Sequence, residues 1–214
     1  MKTQKINLNK KIITPFTLIL FFVFQFYPIM ETANAASATD NVIVSLDVTS
    51  GITISNGADV TMAPNIGVAS DSSIGTSSWV VKTNSTLGYT LAVKASTAPA
   101  LVSGVNSFAD YHAGTTPALW SVGSGNKEFG YSAYGTDTDT ATWGTAASCG
   151  GSGIPDVAQK YAGFITSDNT IATRATVTPT SGITTNICFA AAQNAIYAPS
   201  GTYTATITAT ATTL

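Results

Sequence analysis

The chain has 214 residues, of which 44% are hydrophobic and only 9% charged, with a formal net charge of −2. So few cations exclude the basic stripe that nucleic-acid binding requires and the polybasic patch that holds a protein to an anionic membrane surface. The remaining polar surface must be built from Thr, Ser, Asn and Gly.

The first 35 residues read as a targeting segment. Lys2, Lys5, Lys10 and Lys11 make a basic start, and an apolar run from Phe16 to Ile29 follows, broken by Thr17, Gln25 and Pro28. Ala33-Asn34-Ala35 then supplies small residues at the two narrow subsites of signal peptidase. This is the three-part pattern of a secretory signal peptide. Cleavage is expected between Ala35 and Ala36, with Ala36-Ser37-Ala38 as a second match. An uncleaved anchor is the alternative, because the run taken from Ile12 approaches the ~20 residues that span a bilayer. Phe16-Thr17-Leu18-Ile19 is similar to the start of a mature type IV pilin, but Pro15 and Leu20 stand where that family has Gly and Glu. Removal of the leader leaves residues 36–214, expected to form one domain with no membrane contact of its own.

Beyond the leader, Lys82, Lys94, Lys127, Lys160 and Arg174 face ten carboxylates, a net charge of −5. Cys149 and Cys188 are the two cysteines. An exported chain meets oxidising conditions, so one disulfide between them is expected, with two buried thiols as the alternative. Together with a single histidine they are too few for a zinc site of the usual kind.

In chain order, Asn41–Thr49 (NVIVSLDVT) alternates Val42, Val44, Leu46 and Val48 with mostly polar residues, which predicts a half-buried strand. Ile52 and Ile54 continue it, Asn56-Gly57 is a turn signal, and Val60 with Met62 predicts a further short strand. Ser78–Thr83 and Thr90–Ala95, separated by a loop of about five residues, predict a β-hairpin. Within that loop Asn84-Ser85-Thr86 matches a glycosylation acceptor, a pattern that is usually accidental in a bacterial chain. Ser96–Gly125 carries little pattern, and Phe108, Tyr111 and Trp120 are apolar enough to pack it down as a cap. Strands follow at Glu128–Tyr134, Tyr161–Thr166 and Ile171–Thr178. Asn186–Ala192 (NICFAAA) is helix-like in composition but short, so it is read as a strand with Cys188 facing away from Ile187 and Phe189.

The last stretch, Gly201–Leu214 (GTYTATITATATTL), alternates perfectly from Tyr203 to Thr212, giving one apolar and one threonine face. Its length implies that it crosses a whole sheet or bends between two. Regularly spaced threonines can match an ice lattice, but that needs several parallel copies and this chain has one. About ten strands with frequent turns and no helix predict an all-β, antiparallel β-sandwich, immunoglobulin-like or jelly-roll-like, stapled by Cys149–Cys188.

Candidate chemistry is sparse. Asp110-Tyr111-His112 could place an acid and a base on one face, but no serine or cysteine sits in a nucleophile elbow. Asp137-Thr138-Asp139 is the densest acidic cluster and the candidate for calcium; the EF-hand pattern is absent, and a solvated turn is the plain alternative. No cofactor is expected, and no catalytic residue is assigned. Gly201–Ile207 resembles the closing strand of bacterial surface β-sandwich modules, among them the spore coat U/fimbrial type and the WxL cell-wall domain. Gly88–Val93 (GYTLAV) resembles the earlier WxL element with Tyr in place of Trp, while Ala209-Thr210-Ala211 lacks the second Trp-x-Leu. The resemblance implies a surface-exposed sandwich and assigns no functional residue.

The expectation is therefore a non-enzymatic extracellular or cell-surface structural or adhesive protein of a bacterium. Its expected partners are other copies of itself or cell-surface polymers. The alternatives are a carbohydrate- or cell-wall-binding module, using Trp79, Trp120, Trp143 or Tyr134 as a stacking platform, and a secreted hydrolase built on His112 or an acidic pair.

Overall fold

The computed structural model describes residues 37–55, 57–114 and 116–214. The leader, the Ala35/Ala36 junction and Asn56 of the predicted turn lie outside them. The chain divides into two units, Met1–Leu46 and Asp47–Leu214. In the first, residues 37–46 are extended and exposed, with no strand or bridge assigned.

The second unit is almost entirely β. Its first six strands are β1 (Ile52–Ile54), β2 (Ser72–Thr83), β3 (Tyr89–Ala95), β4 (Leu101–Ser103), β5 (Asn106–Asp110) and β6 (Ala118–Leu119). Then come β7 (Lys127–Gly135), a four-residue helix α1 (Thr140–Trp143), β8 (Gly150–Gly151), β9 (Ile154–Pro155) and β10 (Lys160–Tyr161). β11 (Asn169–Arg174), β12 (Ile183–Gln193) and β13 (Ile207–Thr213) complete the order.

Two sheets face each other. The larger runs β1-β2-β12-β7-β5-β4 and the smaller β11-β3-β13. Period-two alternation turns one side of each strand inward. Trp79, Val81, Phe129, Tyr131, Ile187 and Phe189 from the large sheet meet Tyr89, Leu91, Val93 and Ile171 from the small one in a single core. Phe164 enters between them and stacks on Tyr131 with ring centroids 4.3 Å apart. The architecture is the predicted sandwich, though it is not wholly antiparallel, because β5 joins β7 in parallel.

β12 is the centre of the large sheet, paired with β2 on one side and β7 on the other, both antiparallel. From Ile187 to Gln193 every residue is buried. One face meets the core. The other is covered by residues 144–162, where Cys149, Tyr161 and Tyr111 gather on Cys188 and Ala190. The Cys149–Cys188 disulfide, with Cα atoms 5.3 Å apart, fastens this cover to the strand. Covering on both faces explains the helix-like composition of Ala190-Ala191-Ala192: small side chains allow close approach from either side.

Several expectations are corrected. Asn41–Thr49 is not a strand. Val60 and Met62 pack on the core without forming one, and only Ala63 bridges to Ile74. Ser78–Thr83 and Thr90–Ala95 do not form a hairpin, since β2 and β3 belong to opposite sheets. Their apolar faces are satisfied across the core, and the loop between them is a corner. Gly88 sits there with φ of 85°, so close to the Arg174 carbonyl that a Cβ could not be placed. The stretch read as a cap holds the β4–β5 hairpin, yet Phe108 and Tyr111 are buried within it as expected. The predicted strand Tyr161–Thr166 is reduced to Lys160–Tyr161, with Ala162 bridging to Tyr131. The closing stretch bends between sheets: Thr204 bridges to Val102 of the large sheet, and β13 then pairs with β3 of the small one.

Cys149 and Cys188 are 39 positions apart in sequence. Chain entropy alone gives about 4 kcal/mol for a cross-link closing such a loop. Replacing both cysteines by alanine should lower the unfolding free energy by up to that amount in denaturant titrations. An unchanged midpoint would show that the cover stays seated without the bond.

Candidate functional site

The sequence-derived candidates are dispersed and mostly occupied. Asp137 follows β7 at a turn, and its carboxylate accepts a hydrogen bond from Tyr89 Oη at 2.8 Å and faces Arg174 Nη1 at 3.2 Å. Its side chain is 7% exposed. Tyr89 is fully buried, and burial first, then the Asp137 contact, pushes its phenol far above the usual range. The group ties the turn after β7 to both β3 and β11. Asp139 instead caps α1, accepting from Ala141 N at 3.0 Å and from the Thr142 hydroxyl. That hydroxyl bond chiefly holds its carboxyl below the usual value. Thus the two carboxylates of the calcium candidate already serve protein donors, and among the described residues no cluster of three metal-ligating side chains occurs.

The tryptophans are covered. Trp79 and Trp143 are buried in the core. Trp120 is half-buried, stacked on Tyr111 at 4.5 Å and edge-on to Tyr161 at 5.1 Å. Tyr134, also half-buried, packs against the cover. Asn84 of the glycosylation match is spent on backbone: its Oδ1 accepts from Gly51 N at 2.7 Å and its Nδ2 donates to the Thr49 carbonyl at 2.8 Å.

His112 does lie in a concavity, an open cleft of about 520 Å³ lined by Asp110, His112, Lys127, Glu128, Asn126 and Ile196 among others. The parallel pairing of β5 with β7 sets Asp110 and Glu128 at its wall. Burial lifts the Asp110 carboxyl above its usual range, opposed by the Ala100 N–H that it accepts. Burial likewise lifts Glu128, opposed by His112. Ser107 and Lys127 line the same cleft, and among the described residues no side-chain hydrogen bond joins Ser107 or His112 to each other or to either carboxylate, while Asp110 is held by the Ala100 N–H.

The most anomalous surface is apolar. Val42, Ile43, Val44, Leu46 and Val48 are 77–91% exposed. Isolated exposed aliphatics are ordinary, but five within seven residues make a contiguous patch. Sequence reading found these residues and mistook their state, because alternation marks an apolar row and not whether a neighbouring strand pairs with it.

No protein-family model, curated protein or solved structure matches the chain.

Two outcomes follow from these groups. Arg174→Ala should cost about 3 kcal/mol in unfolding free energy, because it strands a nearly buried carboxylate; a loss under about 0.5 kcal/mol, an ordinary surface value, would show that Asp137 is served by water. For Asp110 and Glu128 the folded values lie above the unfolded ones, so their stabilising contribution is complete below the unfolded values of about 3.9 and 4.3 and is lost as pH rises through the folded values. Asp110→Asn combined with Glu128→Gln should remove that fall from a profile of melting temperature against pH. A profile parallel to that of the parent chain would contradict the assignment.

Proposed function

We propose that the protein is a non-enzymatic extracellular or cell-surface structural or adhesive component that works by associating with further copies of itself. The carrying observation is the exposed apolar segment 42–48. Burying a Val, Leu or Ile side chain is worth about 1.5–3 kcal/mol, so leaving this row in water is costly unless association covers it. The disulfide suits an oxidising exterior, and the leader pattern suits export. The near-absence of charge suits close packing between copies. Described carboxylates are engaged in capping α1, in pairing with Arg174 and in holding turns, which supports a scaffold rather than a catalyst.

Light scattering and electron microscopy of the exported, purified protein test this reading. Oligomers or filaments are expected at micromolar concentration, and Val44→Asp with Leu46→Asp should shift them to monomers while leaving the melting temperature within about 2 °C, as for an exposed site. Monodisperse monomers of the parent chain under all conditions would sink it.

A further inference from the structure

We infer that residues 42–48 of one copy add as a strand to the free edge of β13 in a second copy, making a head-to-tail assembly. This rests on the self-association reading above and names its acceptor.

The ladder between β13 and β3 fixes which backbone groups of β13 are free. Ile207 pairs opposite Ala95, and Ser96 N donates to the Thr206 carbonyl. In an antiparallel ladder hydrogen-bonded pairs alternate, so Thr206, Thr208, Thr210 and Thr212 bond toward β3. The N–H and C=O groups of Ile207, Ala209, Ala211 and Thr213 therefore point away from β3, and no backbone partner for them occurs among the described residues. β1 lies alongside across the rim but forms no ladder with β13. The same odd-numbered residues turn their side chains inward, where Ile207, Ala209 and Ala211 are only half-buried. The outer edge of β13 is thus unpaired among the described residues, and the inward row beside it is only half-buried.

β13 is also the least defended edge. Edge strands are commonly protected by shortness, bulges, Pro or Lys. β1 and β4 are three residues long. β11 carries a bulge between Thr170 and Ala172, and its Thr173 N–H is taken by the Asp137 carbonyl. β13 runs seven residues, ITATATT, with none of these devices.

Residues 42–48 match it. They too number seven, and Val42, Val44, Leu46 and Val48 would enter the seam with Ile43, Ser45 and Asp47 outside. Strand addition gains main-chain hydrogen bonds from the edge and specificity from alternate side chains. The connection to β1 favours a second copy over the same chain. Asn84 holds both the Thr49 carbonyl and the Gly51 N–H, and Asn84 N donates to the Gly51 carbonyl. Leu214 N bonds Gly88, so β13 ends at this same loop. To lie along its own β13, segment 42–48 would have to reverse within Thr49–Gly51, which Asn84 pins. A contact between two different surfaces closes into a ring where the rotation between copies allows it and otherwise propagates as a filament.

The test uses Leu46→Cys mixed with Ala209→Cys or Ala211→Cys under mild oxidation, plus Ala209→Pro. Proline at 209 removes an N–H that faces away from β3 and leaves the β3–β13 ladder complete. A disulfide between two chains at 46–209 or 46–211, with the onset concentration for assembly raised at least about ten-fold by Ala209→Pro, is expected, since tenfold is a small part of a several-bond edge. Circular dichroism checks that this variant folds, and the cross-link stands without it. Assembly that persists with neither cross-link overturns the β13 acceptor and leaves self-association standing. Cross-linking only within one chain of the Leu46→Cys/Ala209→Cys double variant, in a monomer, overturns both.

Discussion

The fold depends on burying β12 on both faces. A strand in a two-layer sandwich normally shows one face to the core and one to solvent. Here the second face of β12 is covered by residues 144–162, pinned through Cys149 to Cys188 and sealed by Tyr111, Tyr161 and Trp120. This central strand therefore holds the large sheet in register on its two sides and carries the core on its inner face and the cover on its outer face. Tyr161 shows the cost: its hydroxyl is buried with no partner among the described residues, and burial, followed by the charge of Asp156, pushes its ionisation well above the usual range. The cover meets the sheet with hydrogen bonds elsewhere, Ser132 Oγ donating to Gln159 Oε1 at 3.2 Å, and a phenol buried beneath it stays neutral.

The small sheet is held differently. Apart from the shared core, the Tyr89–Asp137–Arg174 group bridges it to the turn after β7. A nearly buried carboxylate is tolerable because a phenol and a guanidinium both meet it. The small sheet has three strands against six, so its outer strand β13 is left with half-buried side chains and an unpaired edge. The large sheet is closed over on its outer face; the small sheet is open along its rim.

Much of this was legible in the residues. Strands β2, β3, β7, β12 and β13 follow from alternation, the disulfide from the count of two cysteines, and the burial of Phe108 and Tyr111 from apolar content in a weakly patterned stretch. The corner between β2 and β3 was not legible. A five-residue loop joins two strands equally well side by side or across a core, and only the burial of Trp79 and Val81 opposite Tyr89 and Leu91 separates the cases. The roles of Asp137 and Asp139 were equally hidden: two positions apart, one meets Arg174 from a distant strand and the other caps the next helix. The cleft at Asp110, His112 and Glu128 needed the parallel β5–β7 pairing, which no local pattern announces.

The sequence by itself determined the class: an all-β chain with an export pattern, a disulfide, little charge and alternating apolar rows, because each of these is a local or compositional property. Tertiary structure decided which rows meet each other. It placed β2 and β3 in opposite sheets and buried β12 twice, and among the described residues it gave Val42–Val48 and the outer edge of β13 no strand partner. Alternation states only that a face must be covered. What covers it is a matter of long-range geometry, which no local pattern records.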